Sequence, residues 1–164
     1  MLVGEAPGRQ EDERGQPFVG RAGGFLEELL ASIGLPREQV YITNVVKSRP
    51  FVGPPPGRNR APAPAEIAAC RRWLDEQIRI IRPEIIVAMG RVALEYFAPG
   101  LKISRAHGRP FRHDGRIVLP VFHPSVAGRW PGRRGMLRDD FRLLGRLLRG
   151  PRKEGSGSSQ KGFG

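Results

Sequence analysis

A single cysteine, Cys70, occurs in 164 residues, so no disulfide can form within the chain and no thiolate cluster can be assembled from it alone. Acidic residues are also scarce: 16 Asp and Glu stand against 28 Lys and Arg, a formal net charge of +12. That imbalance argues against basic partners and for polyanions, because a strongly basic domain is the electrostatic footprint of a nucleic-acid binder. Arg outnumbers Lys, and its planar fork pairs with phosphate through two hydrogen bonds at once. Solubility, or a GC-rich codon bias toward Arg, is the competing reading of the same charge. No apolar window approaches the roughly 20 residues of a membrane span. No signal-peptide pattern precedes the first motif, so the chain reads as cytoplasmic and free of membrane. Internal repeats are absent, and the length suits one domain.

What is present alternates in period. Residues 1–3 form a short apolar run that breaks at Gly4-Glu5-Ala6-Pro7-Gly8, a strand end followed by a loop. It is a short beginning for a core strand and reads as a late start. Residues 20–34 place Phe25, Leu26, Leu29, Leu30 and Ile33 at helical spacing. A second strand is expected over 40–46 and a Pro-rich loop over 49–64. Pro64 then suits the first turn of a helix running to about Arg82. "EIIVAM" (84–89) is nearly continuous in apolar residues, as strands covered on both faces are. A short helix to about Phe97 follows, then an irregular basic stretch over 99–115 with a hairpin around His113-Asp114-Gly115. A fourth strand over 116–122 ends at His123-Pro124-Ser125. A basic loop over 128–135 surrounds Trp130, and an amphipathic helix covers 136–149. The expected class is therefore α/β: a three-layer α/β/α sandwich around a mostly parallel four-stranded sheet, with one domain over 1–149. Residues 150–164, rich in Gly and Ser, read as a disordered tail or cloning remnant. In open α/β sheets ligands bind beyond the carboxyl ends of the strands. Glu5, the segment 44–47 and His123 all fall there.

Five stretches in order, "GEAPGRQED" (4–12), "GQPFVGRAG" (15–23), "YITNVVKSRP" (41–50), "GRNRAPAPAEIAACRRWL" (57–74) and "VFHPS" (121–125), resemble the family 4 uracil-DNA glycosylases. The resemblance covers about residues 1–149. It implies a monofunctional glycosylase, monomeric, that extrudes uracil from single- or double-stranded DNA and hydrolyses its N-glycosidic bond to leave an abasic site. It also implies a structural [4Fe–4S] cluster on four cysteines. Of those positions only Cys70 matches, and Ser48 stands where the family has another. No cluster is therefore expected in this polypeptide, since one thiolate does not replace four.

Residue types and resemblance together nominate the site. An extruded base needs a flat wall, and Phe18 is the candidate, with a core Phe capping the first strand as the alternative. Uracil offers N3–H as donor and O4 as acceptor, and cytosine the reverse. An Asn held in one orientation tells them apart, so Asn44 is the expected reader, although an Asn at a strand end more often bonds local backbone. Gly4 and Ala6 join Phe18 and Asn44 as uracil contacts. The resemblance makes His123 a donor to uracil O2. It makes Glu5 and Glu11 contacts to water and sugar, where oxocarbenium-like charge develops; which carboxylate does which stays open. Lys47, Arg49, Ser125, Arg129, Trp130 and Arg133 are the expected DNA contacts, with Trp130 or Arg129 as a wedge and Trp130 equally readable as packing. His107 and His113 read as surface or loop residues. The rivals are a truncated, inactive homologue, a non-catalytic uracil or DNA binder, and a covalent trap using a His in the loop after the second strand. Residues 48–63 contain no His, which argues against the trap.

Overall fold

A computed structural model describes residues 1–150, so the expected tail falls outside the described residues except for Gly150. Strand β1 (Leu2–Gly4) is buried throughout and leads through a Pro-Gly loop to helix α1 (Arg9–Arg14). Helix α1 buries no residue; Glu11 and Asp12 in its first turn suit the helix dipole, an Arg9–Glu13 pair at 3.1 Å spans one turn, and Gly15 ends it in the left-handed region at φ 67°. Helix α2 (Arg21–Ala31) turns Phe25, Leu26, Leu29 and Leu30 inward. Strand β2 (Ile42–Asn44) follows a single 3₁₀ turn, Arg37–Gln39.

The Pro-rich stretch folds into a two-stranded antiparallel ribbon, β3 (Phe51–Val52) and β4 (Arg58–Asn59). Helix α3 (Pro64–Ile81) then begins with Pro in its first turn. Glu66 accepts the Ala63 backbone N–H at 2.7 Å, and Arg82 in the left-handed region ends the helix before Pro83. Strand β5 (Ile85–Met89), helix α4 (Arg91–Phe97) and a single turn α5 (Ile103–Ala106) lead to strands β6 (Phe111–His113) and β7 (Arg116–Val121). A turn α6 (Val126–Arg129) and helix α7 (Gly132–Arg149) complete the fold.

The main sheet runs β2-β1-β5-β7-β6, parallel except for β6. Alternation along β5 assigns its two faces. Val87 and Met89 meet α2 and α7 through Leu26, Leu29, Leu137 and Phe141. Ile86 and Ala88 meet α3 and α4 through Leu74, Val92 and Phe97. The expected three-layer sandwich is present, but its sheet has five strands rather than four. The extra strand is β6, which the expected hairpin adds antiparallel at the edge. Asp114 (φ 47°) and Gly115 (φ 77°) supply the two left-handed residues that a tight hairpin requires. Because β2 lies on one side of β1 and β5 on the other, the chain reverses direction of winding at β1. A crevice at the carboxyl ends is the geometric consequence.

Candidate active site

That crevice is a cavity of about 680 Å³, and it gathers residues far apart in sequence: Glu5 and Ala6 after β1, Glu11 from α1, Phe18, Asn44 at the end of β2, and His123 and Ser125 after β7. Phe18, Asn44 and His123 thus line the same cavity. The Phe18 and His123 rings are 5.5 Å apart between centroids and tilted by 32°.

Phe18 is held in a conformation its own chemistry disfavours. Its φ is +54°, and non-glycine residues in such regions carry on the order of 1–3 kcal/mol of strain that surrounding structure must hold in place. Glu11 Oε1 accepts the backbone N–H groups of Val19 (3.1 Å) and Gly20 (2.8 Å). Arg37 donates to the carbonyl of Phe18 at 3.0 Å. Gly23 lets α2 approach so closely that a Cβ there would stand 1.9 Å from the Phe18 carbonyl oxygen. Glu11 thus straps the loop that carries Phe18, with one oxygen committed to backbone. Arg37, 19 residues from Phe18, had no motif to announce it.

Among the described residues, Asn44 Oδ1 is a buried acceptor with no hydrogen-bond partner. Leaving such an atom unpaired costs about 1–3 kcal/mol, so the position holds an acceptor waiting for a donor that the described residues do not supply. Gly4 makes the space beside it: a Cβ at Gly4 would lie 2.4 Å from Oδ1 and 2.7 Å from the Phe18 ring. Gly4→Ala is therefore expected to displace both side chains and to lower kcat/KM at least ten-fold, while thermal unfolding shifts little. A variant with parental kinetics would show that the slot between Gly4, Phe18 and Asn44 is not used.

His123 is held through one nitrogen of its ring. The Ser125 backbone N–H donates to Nδ1 at 3.2 Å, and Ser125 Oγ lies 2.9 Å from the same nitrogen. Because an N–H donor faces Nδ1, that nitrogen is an acceptor and the neutral ring carries its proton on Nε2. Burial pushes the imidazole down to about 4, against the opposing pull of Glu11, so the ring is neutral at pH 7. Gly90, at φ 91°, lets α4 start close to His123, since a Cβ there would stand 3.0 Å from the His123 Cβ. Glu5 is half-buried; desolvation raises its pKa, and Arg91 at the start of α4 opposes that rise. The two acidic candidates both line the cavity but separate in their bonding, with Glu11 tied into the Phe18 loop and Glu5 under the influence of Arg91.

A sequence model of the Uracil DNA glycosylase superfamily matches residues 1–144. The type-4 uracil-DNA glycosylase of Thermotoga maritima is 50% identical over 128 residues, 76% of this chain and 64% of that protein. That of Sulfurisphaera tokodaii is 40% identical over 163 residues, 93% of this chain and 71% of that protein. That of Archaeoglobus fulgidus is 42% identical over 156 residues, 90% and 75% respectively. The chain belongs to the type-4 uracil-DNA glycosylases of that superfamily. It spans just under two thirds of the length of the Thermotoga relative and up to three quarters of the others.

The sequence supplies one cysteine, Cys70, of the four that the iron–sulfur cluster implied by the resemblance would use. Among the described residues no three His, Cys, Asp or Glu side chains are grouped to hold a metal ion. The Cys70 sulfur instead accepts the Lys47 backbone N–H at 3.4 Å. Beside it lies a polar clasp: Lys47 Nζ donates to Thr43 Oγ1 (3.0 Å), the Asn44 carbonyl (2.7 Å) and Gln77 Oε1 (2.7 Å). Burial lowers the Lys47 pKa to about 8. Lys47, expected at the DNA-facing lip, is turned inward and ties β2 to α3, which fixes the backbone under Asn44.

The other basic residues divide similarly. Arg49 knits the ribbon, donating to Asn59 Oδ1 (2.7 Å) and to the carbonyls of Pro56 (2.7 Å) and Gly57 (3.0 Å). The cavity is also lined by Arg9, Gln10, Arg21, Asn59 and Arg60. Trp130 is half-exposed, and Arg133 lies over both its ring (4.8 Å) and that of Phe122 (4.7 Å). Arg129 closes α6. His107 lies in the turn after α5, as a loop residue, and is only partly exposed: its Nδ1 meets the buried Asp140 at 3.1 Å and its ring centroid lies 4.4 Å from that of Phe122. It thereby braces the end of β7 from which His123 projects.

Proposed function

We propose that this chain is a uracil-DNA glycosylase that hydrolyses the N-glycosidic bond of an extruded deoxyuridine and leaves an abasic site, acting as a cytoplasmic monomer. The observation that carries this reading is the buried, unpartnered Asn44 Oδ1 in one cavity with Phe18 and a neutral His123. Uracil N3–H supplies the missing donor, and its O4 takes the amide N–H. Phe18 stacks on the base, at ~1–3 kcal/mol per stacked base. As the C1′–N1 bond breaks, its electron pair goes to the uracil ring and negative charge gathers on O2. His123 Nε2–H meets that charge as a neutral donor, stabilising the transition state rather than the substrate. The sugar becomes oxocarbenium-like, and Glu5 faces it as a half-buried carboxylate. A water adds through its oxygen to C1′ and gives up one proton; the uracil anion takes one, so the step balances. Among the expected DNA contacts, Ser125 lines the cavity, and backbone phosphate contacts at its rim give salt-sensitive affinity without sequence preference.

The test is incubation with single- and double-stranded oligonucleotides bearing one uracil, followed by alkali. Free uracil with strand cleavage is the expected result. Salt-sensitive binding with no uracil released supports the inactive binder instead, and a denaturation-resistant adduct supports a covalent trap.

A further inference from the structure

A second cavity of about 390 Å³ adjoins the first and shares Arg21, Ala22 and Ser125 with it. Its volume is within the roughly 300–1,000 Å³ of small-molecule sites. Its wall is Phe25 on α2, and over that ring lies the Arg134 guanidinium, 4.8 Å from the centroid. Glu28, one turn from Phe25 on the same helix, braces Arg134 at 3.6 Å. The guanidinium is therefore held between an aromatic ring and a carboxylate, and it lines the cavity. Between the two cavities stands Arg21, whose guanidinium lies 3.6 Å from the position a Cβ would take at Gly128, against the turn that begins at Ser125.

We propose that this second cavity holds the base of the nucleotide next to the uracil on the same strand. That base stacks on the Arg134 guanidinium, and the phosphodiester joining the two nucleotides crosses over Arg21 and Ser125. The distinction between the cavities is chemical. The first carries an unpaired acceptor and reads one base by hydrogen bonds. The second presents a cationic plane, to which any base can stack because every base has a π-face. The flanking nucleotide is thus gripped without regard to its identity, and the extruded one is presented in fixed register to His123. The proposal rests on the glycosylase reading, and binding measurements separate the two.

The probes are short single-stranded oligonucleotides with one uracil, flanked on either side by a normal nucleotide or by a tetrahydrofuran residue that keeps the phosphates and lacks the base. Uracil release gives kcat and KM. Versions with 2′-fluoro-deoxyuridine, whose glycosidic bond resists hydrolysis, give Kd by fluorescence anisotropy. Removing the flanking base on one side is expected to raise KM and Kd about ten-fold with kcat retained, and removal on the other side to change neither. Arg134→Lys keeps the charge and loses the plane, on a surface position that folding tolerates. It is expected to produce the same ten-fold rise on the normal oligonucleotide and no further rise on the one lacking the critical base. Equal KM and Kd for all oligonucleotides, or full additivity of Arg134→Lys with base removal, overturns the proposal. Base-dependent Kd with no uracil released from any oligonucleotide overturns the glycosylase reading and leaves the second site standing.

Discussion

Asn44→Asp is expected to collapse the selection of uracil over cytosine. In the parent, the amide accepts from N3–H and donates to O4; cytosine places a lone pair at N3 and an amino group at C4, so both contacts become clashes. Sites that work through buried polar pairs of this kind discriminate by up to ~10⁴-fold, because the wrong base leaves the site's own groups unpaired. A carboxyl group at the same place changes the account for both bases. It still accepts from uracil N3–H, but it turns an oxygen toward O4, and uracil release should fall by on the order of 10²-fold, as when a preorganised donor is lost. Toward cytosine it accepts the amino N–H, and in its protonated form donates to N3. Release of cytosine from a dC-containing oligonucleotide should then come within about ten-fold of uracil release. The measurement is product analysis of paired dU and dC substrates. Retention of the parental preference would remove Asn44 from base reading and return it to a strand-ending role. The clasp of Lys47 on the Asn44 carbonyl, with Thr43 and Gln77, holds the backbone in either variant.

The parts of this site that could be read in the sequence are those whose signal is local. The run at β5 announced a strand covered on both faces, and its alternation is what separates the two cores. The Asp114-Gly115 turn was visible, but three residues of mixed polarity in β6 gave no sign that they extend the main sheet. Helix α1 left no trace because it buries nothing, so its six residues have no apolar period. Prolines hid the ribbon at 51–59 by reading as loop. The side chains that escaped are those whose meaning depends on a distant partner. Lys47 looks like a lip residue until Gln77, 30 positions later, is folded against it. His107 looks like loop until Asp140, 33 positions later, meets it. Glu11 and Glu5 were indistinguishable as acids within one motif; only the backbone of Val19 and Gly20 coming back to Glu11 sets the strap apart from Glu5.

His123→Ala is expected to cost roughly 10²–10³ in kcat, the range for loss of one donor to a developing oxyanion, while Kd for the non-hydrolysable 2′-fluoro oligonucleotide stays within two- to three-fold of the parent. The pH dependence distinguishes a neutral donor from an imidazolium. With a pKa of about 4 the ring is uncharged over the whole working range. A requirement for the charged form would make kcat fall ten-fold per pH unit above 4, whereas a neutral Nε2–H donor leaves no such descent between pH 5 and 8. The same shift has a signature in stability. The folded value lies below the ordinary 6.5, so between the two the unfolded chain binds more protons than the native one. The ring's contribution is therefore complete above about 6.5 and is lost as pH falls toward 4. Replacing His123 by Ala should flatten the decline in Tm over that interval, measured against the parent at matched ionic strength. A purely structural histidine would show that flattening without the kcat loss, and a catalytic one shows both. If kcat survives, the tautomer fixed by Ser125 has no part in the chemistry.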